Sequence, residues 1–189
     1  MDITSYLLGK NSGGGGGSLD WAALGYDSTP EAIIDGYNYA KHIQETWTST
    51  SRLTAGYKNV FICPYVDTSS QTSWYYFAGD CSGLIQIPLL DTSNVKVMTN
   101  AFANCTALKY VPKFNTSNVV QCASMFSGCS SLSTESLENI LQMCIDMTSY
   151  TEIKTLYYLG FRSVKYPAST IQALPSYQDF IDAGWTIGY

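Results

Sequence analysis

The chain has 189 residues, 46% hydrophobic, 14% aromatic and only 13% charged, with a formal net charge of −5. That length suits one domain with appendages, and this many aromatic and branched residues exclude disorder for most of it. Its 10 Lys and Arg are scattered, which excludes the basic footprint of a nucleic-acid binder, and no stretch approaches the roughly 18 apolar residues of a membrane span.

Residues 1–10 lack the basic start and long apolar run of a secretory signal. The expectation is a protein used in the cytoplasm or released without the Sec route, for instance by viral lysis. Ile3, Tyr6, Leu7 and Leu8 form the apolar centre of this peptide. Gly13 to Gly17, flanked by Ser12 and Ser18, makes 11–18 a flexible linker. The peptide before it reads either as a frayed terminus or as a docking segment that orders against a larger partner. A short peptide followed by glycines resembles the virion-attachment ends of phage structural proteins. That resemblance implies that Ile3, Tyr6, Leu7 and Leu8 anchor the chain to other virion proteins.

Residues 19–52 are expected to form an N-terminal helical cap. Ser28 and Glu31 have capping-box spacing around Pro30. Ile33, Ile34, Tyr37, Ala40 and Trp47 then give a helix over 30–47 an apolar side.

From 53 to 133 the chain repeats. Asp91-Thr92-Ser93-Asn94-Val95 recurs as Asn115-Thr116-Ser117-Asn118-Val119, an offset of 24. At the same offset Phe102 meets Phe126, Cys81 meets Cys105 and Cys129, Leu84 meets Leu108 and Leu132, and Pro88 meets Pro112. Val95, Met98, Ala101 and Phe102 have helical spacing, with Ser93 or Asn94 placed to cap a short helix. Leu84, Ile87 and Leu90, like Leu108, Val111 and Phe114, recur every third residue, as an extended segment stacking on its neighbours at about 4.8 Å. One such coil cannot cover its own apolar side, whereas a stack shares a continuous core.

The segments Asp91–Val95 and Ser124-Met125-Phe126-Ser127-Gly128-Cys129-Ser130-Ser131-Leu132 resemble the BspA-like leucine-rich repeats of bacterial surface proteins, whose pattern is DTSNVxxMxxMFxxCxxL. The match is specific over 91–132 and loose over 57–90, where Gln71 stands in place of Val and Ala78 in place of Phe. The family usually repeats every 26 residues, so each coil here is two shorter. The expected fold is an α/β solenoid: a short, right-handed leucine-rich-repeat stack of three to four coils with helical N- and C-terminal caps. The resemblance implies adhesion and protein or glycan binding without catalysis.

Residues 134–189 are expected to form the C-terminal cap. Glu135 and Glu138 favour a helix start near Thr134, and Leu137, Ile140, Leu141 and Cys144 line one side of a helix over 134–146. Lys154–Leu159 reads as a returning strand. Ser169–Ala183, interrupted by Pro175, reads as one broken helix or two short ones, and Trp185–Tyr189 as a strand-like tail. The six cysteines are expected to be free, buried thiols in crowded corners. With no CxxC pair and His42 as the single histidine, no metal site is expected.

The strand positions that remain should face outward. The columns Phe61/Ile85/Lys109, Ile62/Gln86/Tyr110 and Tyr65/Leu89/Lys113 change character between coils, which a packed interior does not allow. Phe61, Tyr65, Gln86, Leu89, Lys109, Tyr110 and Lys113 are therefore candidates for a recognition surface, or else ordinary exposed residues or ones covered by a partner subunit. Trp74, Tyr75 and Tyr76 form a second aromatic cluster, although Trp74 shares the interior column of Met98 and Cys122. No catalytic residues are identified: His42 has no nucleophile motif, Asp179 and Asp182 read as a solvated helix face, and Gly13–Gly17 lacks the Lys-Ser/Thr of a phosphate loop. The expectation is a non-enzymatic bacteriophage virion protein without cofactor, a fibre or decoration protein that recognises a host-surface glycan or protein. A trimer or other homo-oligomer is possible on that reading. The alternatives are a bacterial surface or secreted adhesin, and a protein that only cements the particle.

Overall fold

The Asp-Thr-Ser-Asn corner shows why its residue types recur. A computed structural model describes residues 63, 67–161 and 166–188. At the first position Asp67, Asp91 and Asn115 each accept a hydrogen bond from the backbone N–H two residues on, at 2.9, 2.9 and 3.1 Å, which tightens the turn. At the second, Thr68, Thr92 and Thr116 are buried, and each hydroxyl donates forward to the next segment, to the carbonyls of Asp91, Asn115 and Met143 at 2.6, 2.8 and 2.6 Å. At the fourth, the amides of Asn94 and Asn118 donate backward to the carbonyls of Ser69 and Ser93 at 2.8 and 2.7 Å. A buried polar group left unpaired costs about 1–3 kcal/mol, so each corner needs its buried threonine, whereas the asparagine bonds are exposed and the first corner has Ser70 at that position.

Beyond the corner the structure departs from expectation. Val95, Met98, Ala101 and Phe102 are buried, as are Val119, Cys122, Met125 and Phe126, yet neither set lies on a helix. The backbone instead runs through linked turns. Tyr76, Asn100 and Ser124 have φ of 57, 57 and 55°, and Asp80, Asn104 and Gly128 have 65, 61 and 76°. A left-handed residue every fourth position breaks the helical hydrogen-bond ladder and turns the N–H groups sideways. They bond the neighbouring segment: Trp74 N–H to Val97 O, Ala78 N–H to Ala101 O and Met98 N–H to Gln121 O, all at 2.7 Å, and Phe102 N–H to Met125 O at 2.9 Å. Asparagine tolerates this conformation better than most residues, and glycine best. A Cβ on Gly128 would lie 2.8 Å from Asn104 Oδ1.

The extended segments are equally brief. They pair as isolated parallel bridges, Ser73 with Val97, Val97 with Gln121, and Gln86 with Tyr110. Each pair is one repeat apart.

Matching phases share one interior. Leu84, Ile87, Leu90, Leu108, Val111 and Phe114 are all buried. Phe102 stacks on Phe126 with ring centroids 5.5 Å apart. Ala78 leaves a small residue where the next two segments carry Phe102 and Phe126, and the adjacent Phe77 compensates, facing Ala101 at its own phase. Phe77 is buried, stacks on Trp74 at 4.2 Å and meets Phe102 edge-on at 6.4 Å. Volume is thus conserved across the pair of positions rather than at either one. The six cysteines are free and buried. Cys105 and Cys129 donate their thiol hydrogens to the carbonyls of Ala78 and Phe102, at 3.0 and 3.1 Å, in the preceding segment.

Among the described residues three helices follow. The first, α1 (Thr134–Asp146), starts where Glu135 suggested; Ser133 caps it by accepting from Ser136 N–H, and it buries Leu137, Ile140, Leu141, Met143 and Cys144. Pro175 separates α2 (Ala168–Gln172) from α3 (Tyr177–Asp182). Glu138 of α1 accepts hydrogen bonds from the N–H and hydroxyl of Ser176, tying α1 to the start of α3. The expected strand at Lys154–Leu159 reduces to one parallel bridge, Thr155 with Thr186, because the chain turns directly after Thr155. Trp185 is buried between Tyr150 and Phe180, with centroids 5.4 and 6.1 Å away. The expected cap over 19–52, the linker over 11–18 and the peptide over 1–10 lie outside the described residues.

Candidate functional site

The outward positions are those left between buried residues that recur every third position. Ile87 and Leu90 are buried, leaving Gln86 half-buried and Leu89 exposed, and buried Val111 and Phe114 likewise leave Tyr110 and Lys113. The parallel bridge sets Gln86 beside Tyr110. The amides of Lys109 and Tyr110 both donate to Ile85 O, at 2.9 and 3.1 Å, and Ile87 N–H donates to Tyr110 O at 3.3 Å.

Leu89 is 61% exposed, the second most exposed large apolar side chain among the described residues. Gln86, Lys109 and Tyr110 are half-buried, and Lys113 is exposed. The Lys109 ammonium sits 5.1 Å from the centroid of the Tyr110 ring, a cation–π contact worth about 0.5–1 kcal/mol at an exposed site. Lys113 Nζ lies 2.9 Å from Asp146 Oδ2 at the end of α1. Both partners are well exposed, so this pair adds at most about 1 kcal/mol and mainly fixes the lysine's direction.

Of the seven candidate residues, five are described, Gln86, Leu89, Lys109, Tyr110 and Lys113, and of these Gln86, Lys109 and Tyr110 lie beside one another. Phe61 and Tyr65 lie outside the described residues, as do Ile3, Tyr6, Leu7 and Leu8. Sequence reasoning missed Asp146, and no signal pointed to it, since it pairs with Lys113 only once α1 has folded back along the last extended segment. In the second aromatic cluster, Trp74 is completely buried and Tyr75 is 43% exposed, so the tryptophan belongs to the interior.

The surface offers an aromatic ring, one exposed leucine and two ammonium groups. That suits non-covalent contact with a polymer or protein. Among the described residues no group of three His, Cys, Asp or Glu is placed to hold a metal ion, and no helix is long and apolar enough to cross a membrane. Five buried thiols are poor nucleophiles. Burial pushes Cys122 and Cys129 up to about 12, and raises Cys63, Cys105 and Cys144 as well.

Comparison with known proteins adds one relationship. No curated protein matches the chain, and no solved structure does. Residues 74–158 match the sequence model of a family described as "Mycoplasma protein of unknown function, DUF285". The matched span starts at Trp74 and runs through the repeated segments and α1, which is consistent with the resemblance to BspA-like repeat proteins.

Proposed function

We propose that this chain is a non-enzymatic virion structural protein of a bacteriophage, a fibre or decoration protein. Its N-terminal peptide anchors it, and a leucine-rich-repeat solenoid displays a face for recognition of the host surface. The observation that carries the binding half of this reading is the contrast between two kinds of column. The inward aliphatic and aromatic phases stay apolar and buried through successive segments, while the outward phases set Gln86 beside Tyr110 and put Leu89 and Lys113 at the same phase of successive repeats. Outward variation on a constant frame is how solenoids acquire ligand specificity. The anchoring half rests on the sequence of residues 1–18, a short apolar peptide followed by glycines.

Two experiments test the halves separately. Deleting residues 1–12 is expected to abolish incorporation into particles while the repeats still fold; normal incorporation contradicts the anchor. Replacing Tyr110 and Lys113 with Ala is expected to reduce attachment to host cells by at least about tenfold, as for hot-spot residues at an interface. Unchanged attachment removes the recognition face and leaves a cementing role. A second reading, a bacterial surface adhesin, is favoured by the BspA-like repeat pattern itself, and is distinguished by finding the protein on bacterial cells instead of on particles.

A further inference from the structure

We propose that Gln71 and Trp74 together bind one water molecule inside the repeated segments, at a point where the interior turns polar. In the next two repeats the phase of Gln71 carries Val95 and Val119, and that of Trp74 carries Met98 and Cys122, all of them buried. A valine at 71 would continue its column. Gln71 brings an amide into it instead, with only 7% of the residue exposed, and neither Oε1 nor Nε2 has a hydrogen-bond partner. Three residues on, Trp74 is completely buried and its indole N–H is unpaired as well. Rings surround it: Phe77 stacks on it at 4.2 Å, and Phe114 and Phe102 meet it edge-on at 5.2 and 6.2 Å. A phenylalanine ring carries no oxygen to accept that proton.

The chemistry of these atoms selects the occupant. A buried polar group left unpaired costs about 1–3 kcal/mol, and three such atoms fall on two neighbouring interior side chains, so a partner that serves all three is favoured. The set is one acceptor, Gln71 Oε1, and two donor groups, Gln71 Nε2–H and Trp74 Nε1–H. Water complements it: the water oxygen accepts from both N–H groups, and one of its hydrogens donates to Oε1. Three hydrogen bonds are typical of a buried water. A direct bond from the indole to Oε1 would leave Nε2 unserved. A cation has no place beside two donors, and an anion would carry a charge into aromatic surroundings without a counterion. Trp185 gives the contrast. Its indole N–H is also buried and unpaired, but it is a single donor between the rings of Tyr150 and Phe180, and a water needs two to four polar partners.

Water–protein NOE and ROE spectra of the full-length protein, isotope-labelled and perdeuterated, test this. The indole Hε1 of Trp74 and the side-chain amide protons of Gln71 should both show cross-peaks to water, with the relative sign of a dipolar contact rather than of proton exchange. Gln71→Met keeps the length of the side chain and removes its polar atoms. The Trp74 cross-peak should then disappear, because one indole N–H does not retain a buried water by itself. Absence of the cross-peak from wild-type Trp74 overturns the site. Its persistence in Gln71→Met also does, since the water would then be held by other groups. If Gln71→Met does not fold, the wild-type spectra decide: dipolar peaks at both residues support a shared water, and a peak missing at either overturns it.

Discussion

The buried threonines of the corner show how much one hydroxyl contributes to a repeated frame. Thr92 is almost fully buried and donates to Asn115 O at 2.8 Å. Thr92→Val keeps the shape and removes the donor, so it should cost about 1–3 kcal/mol in denaturant unfolding, while Thr92→Ser should cost less. Asp91 at the same corner contributes differently. Hydrogen bonds from Ser93, through its side chain first and its backbone N–H second, hold the Asp91 carboxyl below its usual range, and Ser69 does the same for Asp67. A carboxyl depressed on folding adds stability above its unfolded value, about 3.9, and that stability is lost as pH falls through the folded value. Asn115 occupies this phase without a charge, so Asp91→Asn is expected to fold and to lose less stability than wild type on acidification below about pH 4. Equal acid sensitivity in thermal melts contradicts this. The sequence already carried the corner in its repeat of Asp/Asn, Thr, Ser and Asn; it did not disclose that the threonine reaches forward and the asparagine back, since both partners lie one segment away.

At the level of elements, α1 was legible and the expected repeat helices were not, for one physical reason. Both have apolar residues three and four apart, but each repeat also places two left-handed residues four apart, Asn100 and Asn104 in the middle one, a φ that a helix cannot accommodate. Asn100 and Asn104, with Asp80 and Gly128 at the phase of Asn104, are the cue that periodicity alone overlooks. Ser136 and Asn139 were equally invisible: polar residues on a helix read as a solvated side, yet these two bond the last extended segment. Gly160 shows how closely the C-terminal region approaches the repeats. Its φ is 102°, and an added Cβ would lie 2.4 Å from the backbone nitrogen of Ser127. Gly160→Ala should therefore destabilise the protein by several kcal/mol, from backbone strain and a clash that no side-chain rotation relieves. A melting temperature within a few degrees of wild type would show that the two segments are not so close.

Across the whole molecule, phase decides which side chains meet. The apolar columns could be read from the chain because packing constrains them, as the exchange of Phe77-Ala78 for Ala101-Phe102 shows: even its exception conserves volume. The five outward residues could be read only as what the columns left over, and the pairing of Lys113 with Asp146 not at all. The thiols give the interior a common response to alkali. Burial raises the pKa values of Cys63, Cys105, Cys122, Cys129 and Cys144 on folding, so the stability they contribute is present below the unfolded thiol value of about 8.5 and declines as pH rises above it. Thermal melts should accordingly fall steadily from pH 8 toward 11, and iodoacetamide at pH 8 should label the described cysteines only in denaturant. The most direct test of the proposed solenoid is NMR detection of scalar couplings through hydrogen bonds. Stacked coils require couplings from the amide nitrogens of Trp74, Met98 and Phe102 to the carbonyl carbons of Val97, Gln121 and Met125. Finding these three amides coupled instead within their own segments, at helical i−4 carbonyls, would contradict the stack and everything placed upon it.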